Sequence, residues 1–131
     1  MPEGKPFEFL EQAAKGLSHF TARAEENLAK GSLTVYCGGY LDGDAANMMM
    51  SSMVSLIQTW AGGNRVVIDL SKLEYISSLG IGMLSTMVVT SHTRGITMNL
   101  QSPQPSVLHV LELLGIPQFI PILGYDPKAG S

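Results

Sequence analysis

The segment Tyr75–Thr93, YISSLGIGMLSTMVVTSHT, holds no acid, lysine or arginine, and it follows the apolar run Val66-Val67-Ile68-Asp69-Leu70. The run reads as a strand, and the uncharged segment reads as a helix opening on two serines. A surface helix normally carries charge on its outer face. This one offers serine, threonine, glycine and valine there, so it is either covered on all sides or kept bare for a partner. A near-continuous apolar strand is the mark of one covered on both faces in a parallel sheet. Strand followed by helix therefore points to an α/β layer.

The flanking segments extend that pattern. Phe20, Ala22 and Ala24 alternate with Thr21, Arg23 and Glu25, and Leu33, Val35 and Cys37 resume the alternation after Ala29-Lys30-Gly31-Ser32. A period of two on either side of turn residues predicts a hairpin over Phe20–Leu41, with a loop longer than the tightest type. Asp44 is placed to cap the next helix. Its core-facing stripe is Ala46, Met49, Met50, Met53, Ile57 and Trp60, with Met48 outward and Gly62-Gly63 closing it. In the uncharged helix Ile81, Leu84, Met87 and Val88 face inward, and Gly95 ends it. Ile96–Leu100 reads as a strand. A helix from Ser102-Pro103-Gln104-Pro105 follows through Val107, Val110, Leu111 and Leu114 to Gly115, and Phe119–Leu123 reads as an edge strand that tolerates Pro121. The predicted fold class is α/β, an N-terminal β-hairpin leading into a mainly parallel sheet with helices packed on it. Residues 1–18 form an appendage in which Phe7, Leu10 and Ala14 share one side of a short helix. Residues 19–124 form one domain, and 125–131 a frayed tail.

At 131 residues the chain can bury one core. Its net charge of −3 and lack of any Lys/Arg cluster argue against direct nucleic-acid binding. The single cysteine, Cys37, admits no internal disulfide and suggests a reducing compartment. The acids of MPEGKPFEFLEQ do not suit a signal peptide, and no run reaches the ~20 apolar residues of a membrane span, so the expected location is cytoplasmic.

Chemistry-bearing motifs are sparse. His19, His92 and His109 lack partners at metal-ligand spacing, so surface or capping roles are expected and no metal site. Gly80-Ile81-Gly82 lacks the third glycine of a dinucleotide loop, and no phosphate-binding lysine follows, so no cofactor is expected. Ser78 lies at a strand-to-helix turn, but Ile76 stands where a nucleophile elbow needs glycine. A small hydrolase using Ser78 is the weakest reading, and no catalytic residues are assigned.

Serines at a helix start are ordinary N-caps. With Leu84 inward, however, Ser78, Leu79, Gly82, Ser85, Thr86 and Val89 point outward at 100° per residue. That face admits close approach by another protein. A phosphate on Ser78 adds roughly −1.5 to −2 charges at its rim, where the helix dipole tolerates it and a docked partner does not. Outward apolar residues such as Met48 also allow a weak homodimer.

Four ordered segments resemble the STAS domains, in particular the bacterial anti-sigma factor antagonists. Gly39-Tyr40-Leu41-Asp42 is similar to the family's G-x-L-D, and Val66-Val67-Ile68-Asp69-Leu70-Ser71 to its V-V-L-D-L-S strand. Tyr75-Ile76-Ser77-Ser78-Leu79-Gly80-Ile81-Gly82-Met83-Leu84 is similar to its phosphorylation segment, and Val110-Leu111-Glu112-Leu113-Leu114-Gly115-Ile116 with Phe119 to its closing helix and strand. The resemblance implies a partner-switching regulator. Its unphosphorylated form binds a serine kinase/anti-sigma factor, the kinase phosphorylates it with ATP, and a PP2C-type phosphatase restores it. Carried over, Ser78 takes the phosphoacceptor position, with Ser77 the alternate. Asp42, Gly43, Ser77, Ser78, Leu79, Gly82, Thr86 and Val89 form the expected partner-binding face. Ser77 stands where the commoner motif has aspartate, and Leu79 where it has a small residue. A STAS scaffold that is not phosphorylated, in a stress-sensing assembly or as the soluble subunit of a lipid transporter, is the alternative.

Overall fold

The computed structural model describes residues 7–125. A short helix α1 (Glu8–Ala14) precedes the hairpin of β1 (Phe20–Asn27) and β2 (Ser32–Leu41). Then come α2 (Gly43–Thr59), β3 (Arg65–Ile76), α3 (Ser78–Thr93), β4 (Thr97–Gln101), α4 (Pro105–Leu113), a 3₁₀ turn (Ile116–Gln118) and the two-residue β5 (Ile122–Leu123). The five strands lie side by side in chain order. β1 is antiparallel to β2, and all other pairs are parallel. This is the expected α/β architecture with its hairpin and mainly parallel sheet.

Alternation decides which strand residues meet the helices. Phe20, Ala22, Leu33, Val35, Cys37, Val66, Ile68, Leu70, Met98 and Leu100 join one core with Met49, Met53 and Ile57 of α2, Leu84 and Met87 of α3, and Val107 and Leu111 of α4. The opposite face of the sheet carries Thr34, Tyr36, Asp69, Asn99 and Gln101. Asp69 is buried there among hydrogen-bonding neighbours: its carboxylate accepts from the Ser71 amide at 3.0 Å, the Ser71 hydroxyl at 2.6 Å and the Gln101 side chain at 2.8 Å. β3 is thus shielded on both faces, but by apolar packing on one and by a polar network on the other. Burial pushes the Asp69 carboxyl up, yet the donors from Ser71 and Gln101 prevail and hold it below the ordinary carboxylate value. Cys37, 2 % exposed, has its thiol pushed up to about 12 by burial and by the Asp69 charge.

Some boundaries differ from the sequence reading. β3 continues through Tyr75 and Ile76, so α3 opens at Ser78 and not at Tyr75. The β-branched and aromatic side chains pair with β2 there, Tyr75 against Tyr40 and Ile76 against Leu41. α2 is capped by Asp42 and not by Asp44, which lies in the first turn. The Phe119–Leu123 strand shrinks to Ile122–Leu123 behind the 3₁₀ turn, and Leu114 caps α4 in an exposed position. α1 buries Leu10 and Ala14 in the common core. The readings for residues 1–6 and 126–131 lie outside the described residues.

Candidate functional site

Two register shifts build the site. Tyr36 pairs with Asp69, but Gly38 pairs with Lys72 and Tyr40 with Tyr75, so β3 gains a residue on β2 at each step. Bulges of this kind re-aim the ends of strands. Here they set Leu41 beside Ile76, so the next residues, Asp42 and Ser77, emerge together. Each is the N-cap of the helix that follows. The Asp42 carboxylate accepts from the Ala45 amide at 2.9 Å, and the Ser77 hydroxyl accepts from the Gly80 amide at 3.1 Å. Ser77 also donates from Oγ to the Leu41 carbonyl at 3.1 Å, while its own amide donates to the same oxygen at 2.9 Å. Two helix N-termini are thereby locked side by side.

Gly80 explains how closely they approach. A Cβ there would stand 2.9 Å from the Leu41 carbonyl oxygen and 2.9 Å from the side chains of Leu41 and Ile76. Only glycine lets α3 begin so near the end of β2. Gly39, at φ +84°, serves the neighbouring crossing, where a Cβ would lie 2.1 Å from the His19 carbonyl oxygen.

The serine pair divides its work. Ser77 is half-buried and committed to the cap, whereas Ser78 is exposed and its hydroxyl makes no hydrogen bond among the described residues. Leu79 is 52 % exposed and leans over α2, its Cδ1 3.1 Å from where a Gly43 Cβ would be. Beyond it Gly82, Thr86 and Val89 face solvent, Val89 at 64 % exposure, while Ser85 is half-buried. Ile81, Leu84 and Met87 are buried as expected, Val88 is half-buried, and Met83 and Ser91 are buried as well. The helix is apolar on more than one side. The structure therefore brings Asp42, Gly43, Ser77, Ser78 and Leu79 together at the paired N-termini, and sets Gly82, Thr86 and Val89 along the α3 ridge that leads away.

The threonine hydroxyls of the ridge are internally satisfied. Thr86 donates to the Gly82 carbonyl at 3.0 Å, Thr90 to Thr86 at 2.8 Å and Thr93 to Val89 at 3.0 Å. A partner covering these threonines would leave no hydroxyl unpaired, so the usual ~1–3 kcal/mol penalty for each stranded polar group does not arise. The threonines of the ridge thus spend their hydroxyl hydrogens within the helix.

Sequence reasoning missed three neighbours. His19 Nε2 lies 2.9 Å from Asp42 Oδ2, outside hydrogen-bonding angle, so the contact is electrostatic when the imidazole is protonated. The Ala45 amide foremost, and His19 next, hold the Asp42 carboxyl below its ordinary value. Tyr40 and Tyr75, both exposed, stack at a centroid separation of 6.1 Å just before the two caps. The tyrosines were legible as residues flanking the caps; nothing in the sequence pointed to His19. Among the described residues no group of His, Cys, Asp and Glu could hold a metal ion, and no helix is long and apolar enough to cross a membrane.

The chain belongs to the STAS domain family, whose model matches residues 21–124. It is 23 % identical over 107 residues to Rv2638 of Mycobacterium tuberculosis, named as a candidate anti-anti-sigma factor, covering 82 % of this chain and 72 % of that one. A crystal structure of an anti-sigma factor antagonist from Mycobacterium paratuberculosis superposes with a TM-score of 0.67 at 19 % identity, covering 81 % of this chain and 86 % of that one. The anti-sigma factor antagonist SpoIIAA in its unphosphorylated form gives 0.66 at 14 % identity, covering 84 % and 92 %. The phosphorylated form of Bacillus SpoIIAA gives 0.59 at 14 % identity, covering 84 % and 96 %.

Proposed function

We propose that this protein is an anti-sigma factor antagonist-like partner switch. It binds a serine kinase/anti-sigma factor through the paired helix N-termini and the α3 ridge, and phosphorylation of Ser78 releases it. The observation that carries the reading is a free, exposed hydroxyl at the rim of an uncharged helix face whose threonine hydroxyls are already paired. Relatives named as anti-sigma factor antagonists, one of them solved in both unphosphorylated and phosphorylated forms, support it.

Magnitudes decide where the phosphate acts. At the first turn of α3 the helix dipole favours an anion by about 0.3–1 kcal/mol, so the fold tolerates it. No lysine or arginine lies between Tyr75 and Thr93 to neutralise it. Burying an unpaired ion beneath a partner costs several kcal/mol. Phosphorylation therefore weakens association far more than it perturbs the fold, and a PP2C-type phosphatase would reverse it. The test compares Ser78→Ala and Ser78→Asp for affinity to the kinase-type partner. Ser78→Ala should bind like the unmodified protein, and Ser78→Asp more weakly. Equal affinities would sink the switch.

One observation favours the alternative of a scaffold that is not phosphorylated: Leu79, bulky and exposed, sits beside Ser78 and against Gly43. Incubation with the cognate kinase and ATP, followed by intact mass measurement, separates the two, since the scaffold gains no mass.

A further inference from the structure

At the far side of the sheet from β5, β1 has a strand neighbour on one edge only among the described residues. Antiparallel strands alternate between residues whose backbone groups face the partner and residues whose groups face away. The Tyr40 amide donates to the His19 carbonyl, and the register pairs Thr21 with Gly38, Arg23 with Tyr36 and Glu25 with Thr34. His19, Thr21, Arg23 and Glu25 therefore spend their backbone groups on β2. Those of Ala22, Ala24 and Glu26 point to the open edge.

Side chains along this edge alternate in sign. Arg23 and Glu25 lie on the face away from the core, both well exposed, with the guanidinium 4.1 Å from the Tyr36 ring and Nη1 2.6 Å from Glu25. Consider a second copy laid antiparallel along β1 about a twofold axis. An axis at Ala22 places Arg23 opposite Thr21. An axis at Arg23 places it against its own copy, and one at Glu25 opposes two carboxylates. Only an axis at Ala24 pairs Arg23 with Glu25 of the second copy in both directions. That register also pairs Ala24 with itself and Ala22 with Glu26, the residues whose backbone groups are turned outward. Arg23 and Glu25 then form non-hydrogen-bonded pairs, the kind in which side chains come closest. On the core side Glu26 does not obstruct, because Trp60 Nε1 holds its carboxylate at 2.9 Å.

We propose that β1 is a homodimerisation edge, taking a second copy of this chain in the Ala24-centred register to make one continuous sheet. Charged side chains on an edge ordinarily deter pairing; this arrangement opposes like charges in the Arg23- and Glu25-centred registers, leaves Arg23 against neutral Thr21 in the Ala22-centred one, and pairs opposite charges only about Ala24. The axis at Ala24 lies beside Val35, six residues before Leu41, roughly 20 Å from the paired helix N-termini. Both Ser78 faces stay open, so the dimer is independent of the function proposed above and would make the regulator bivalent.

Sedimentation velocity on the full chain at rising concentration tests this. The wild type should dimerise reversibly, more strongly at low salt because the paired charges are exposed. Arg23→Glu and Glu25→Arg should each weaken the dimer by roughly tenfold or more, replacing attraction with repulsion twice per interface. The double exchange Arg23→Glu with Glu25→Arg should restore it. Ala24→Pro removes an outward N–H that β2 does not use and that an edge strand can spare, so it should yield a folded monomer. A wild type that stays monomeric to millimolar concentration overturns the proposal. So does a dimer indifferent to both single reversals, or one that persists in folded Ala24→Pro.

Discussion

Ser77 Oγ accepts from the Gly80 amide and donates to the Leu41 carbonyl, while its neighbour Ser78 does neither. The two serines should therefore respond oppositely to the same substitution. Ser77→Ala should destabilise by about 1–2 kcal/mol, since it removes a cap and strands a half-buried amide. Ser78→Ala should stay within about 0.5 kcal/mol of wild type in the same denaturant titration. Asp42 gives a pH signature. The unfolded carboxyl titrates at its ordinary value and the folded one lower, so its contribution is complete above the unfolded value and fades as pH falls through the folded one. In an NMR titration His19→Ala should raise the Asp42 midpoint only part of the way back, because the Ala45 amide is the stronger influence.

At the scale of elements, α3 carries a glycine where none is needed for folding. A Cβ on Gly82 would meet nothing within 4 Å, so Gly82→Ala should stabilise by about 0.5–1 kcal/mol through helix propensity. A bulky Gly82→Trp should fold normally yet lose partner affinity if the ridge is the docking surface. Gly39→Ala should instead cost more than about 2 kcal/mol, since it meets both a positive φ and the His19 carbonyl. The outward set of α3 was legible because one inward residue, Leu84, fixes every other angle on a helix. The start of α3 was not. Tyr75 and Ile76 suit either state, and their pairing with Tyr40 and Leu41 depends on bulges in β3 that no local pattern announces. Asp42 and Asp44 are equally good caps by type, and the strand's exit chose between them.

For the whole molecule, the hairpin, the mainly parallel sheet and the single core follow from alternation and stripe, which is why the α/β architecture could be read in advance, whereas the strand order is seen only in the folded sheet. The His19–Asp42 contact could not, because it joins segments whose approach is set only by the finished hairpin. The N-terminal helix packs into the same core, with Leu10 completely buried there. Leu10→Ala should cost about 3 kcal/mol in a single two-state transition, and a separate early transition would show that α1 docks independently. The lone sulfhydryl at Cys37, enclosed and far from ionising at neutral pH, has a practical consequence. An alkylating or disulfide reagent can reach it only when the sheet opens, so its labelling rate serves as an intrinsic clock for native-state unfolding.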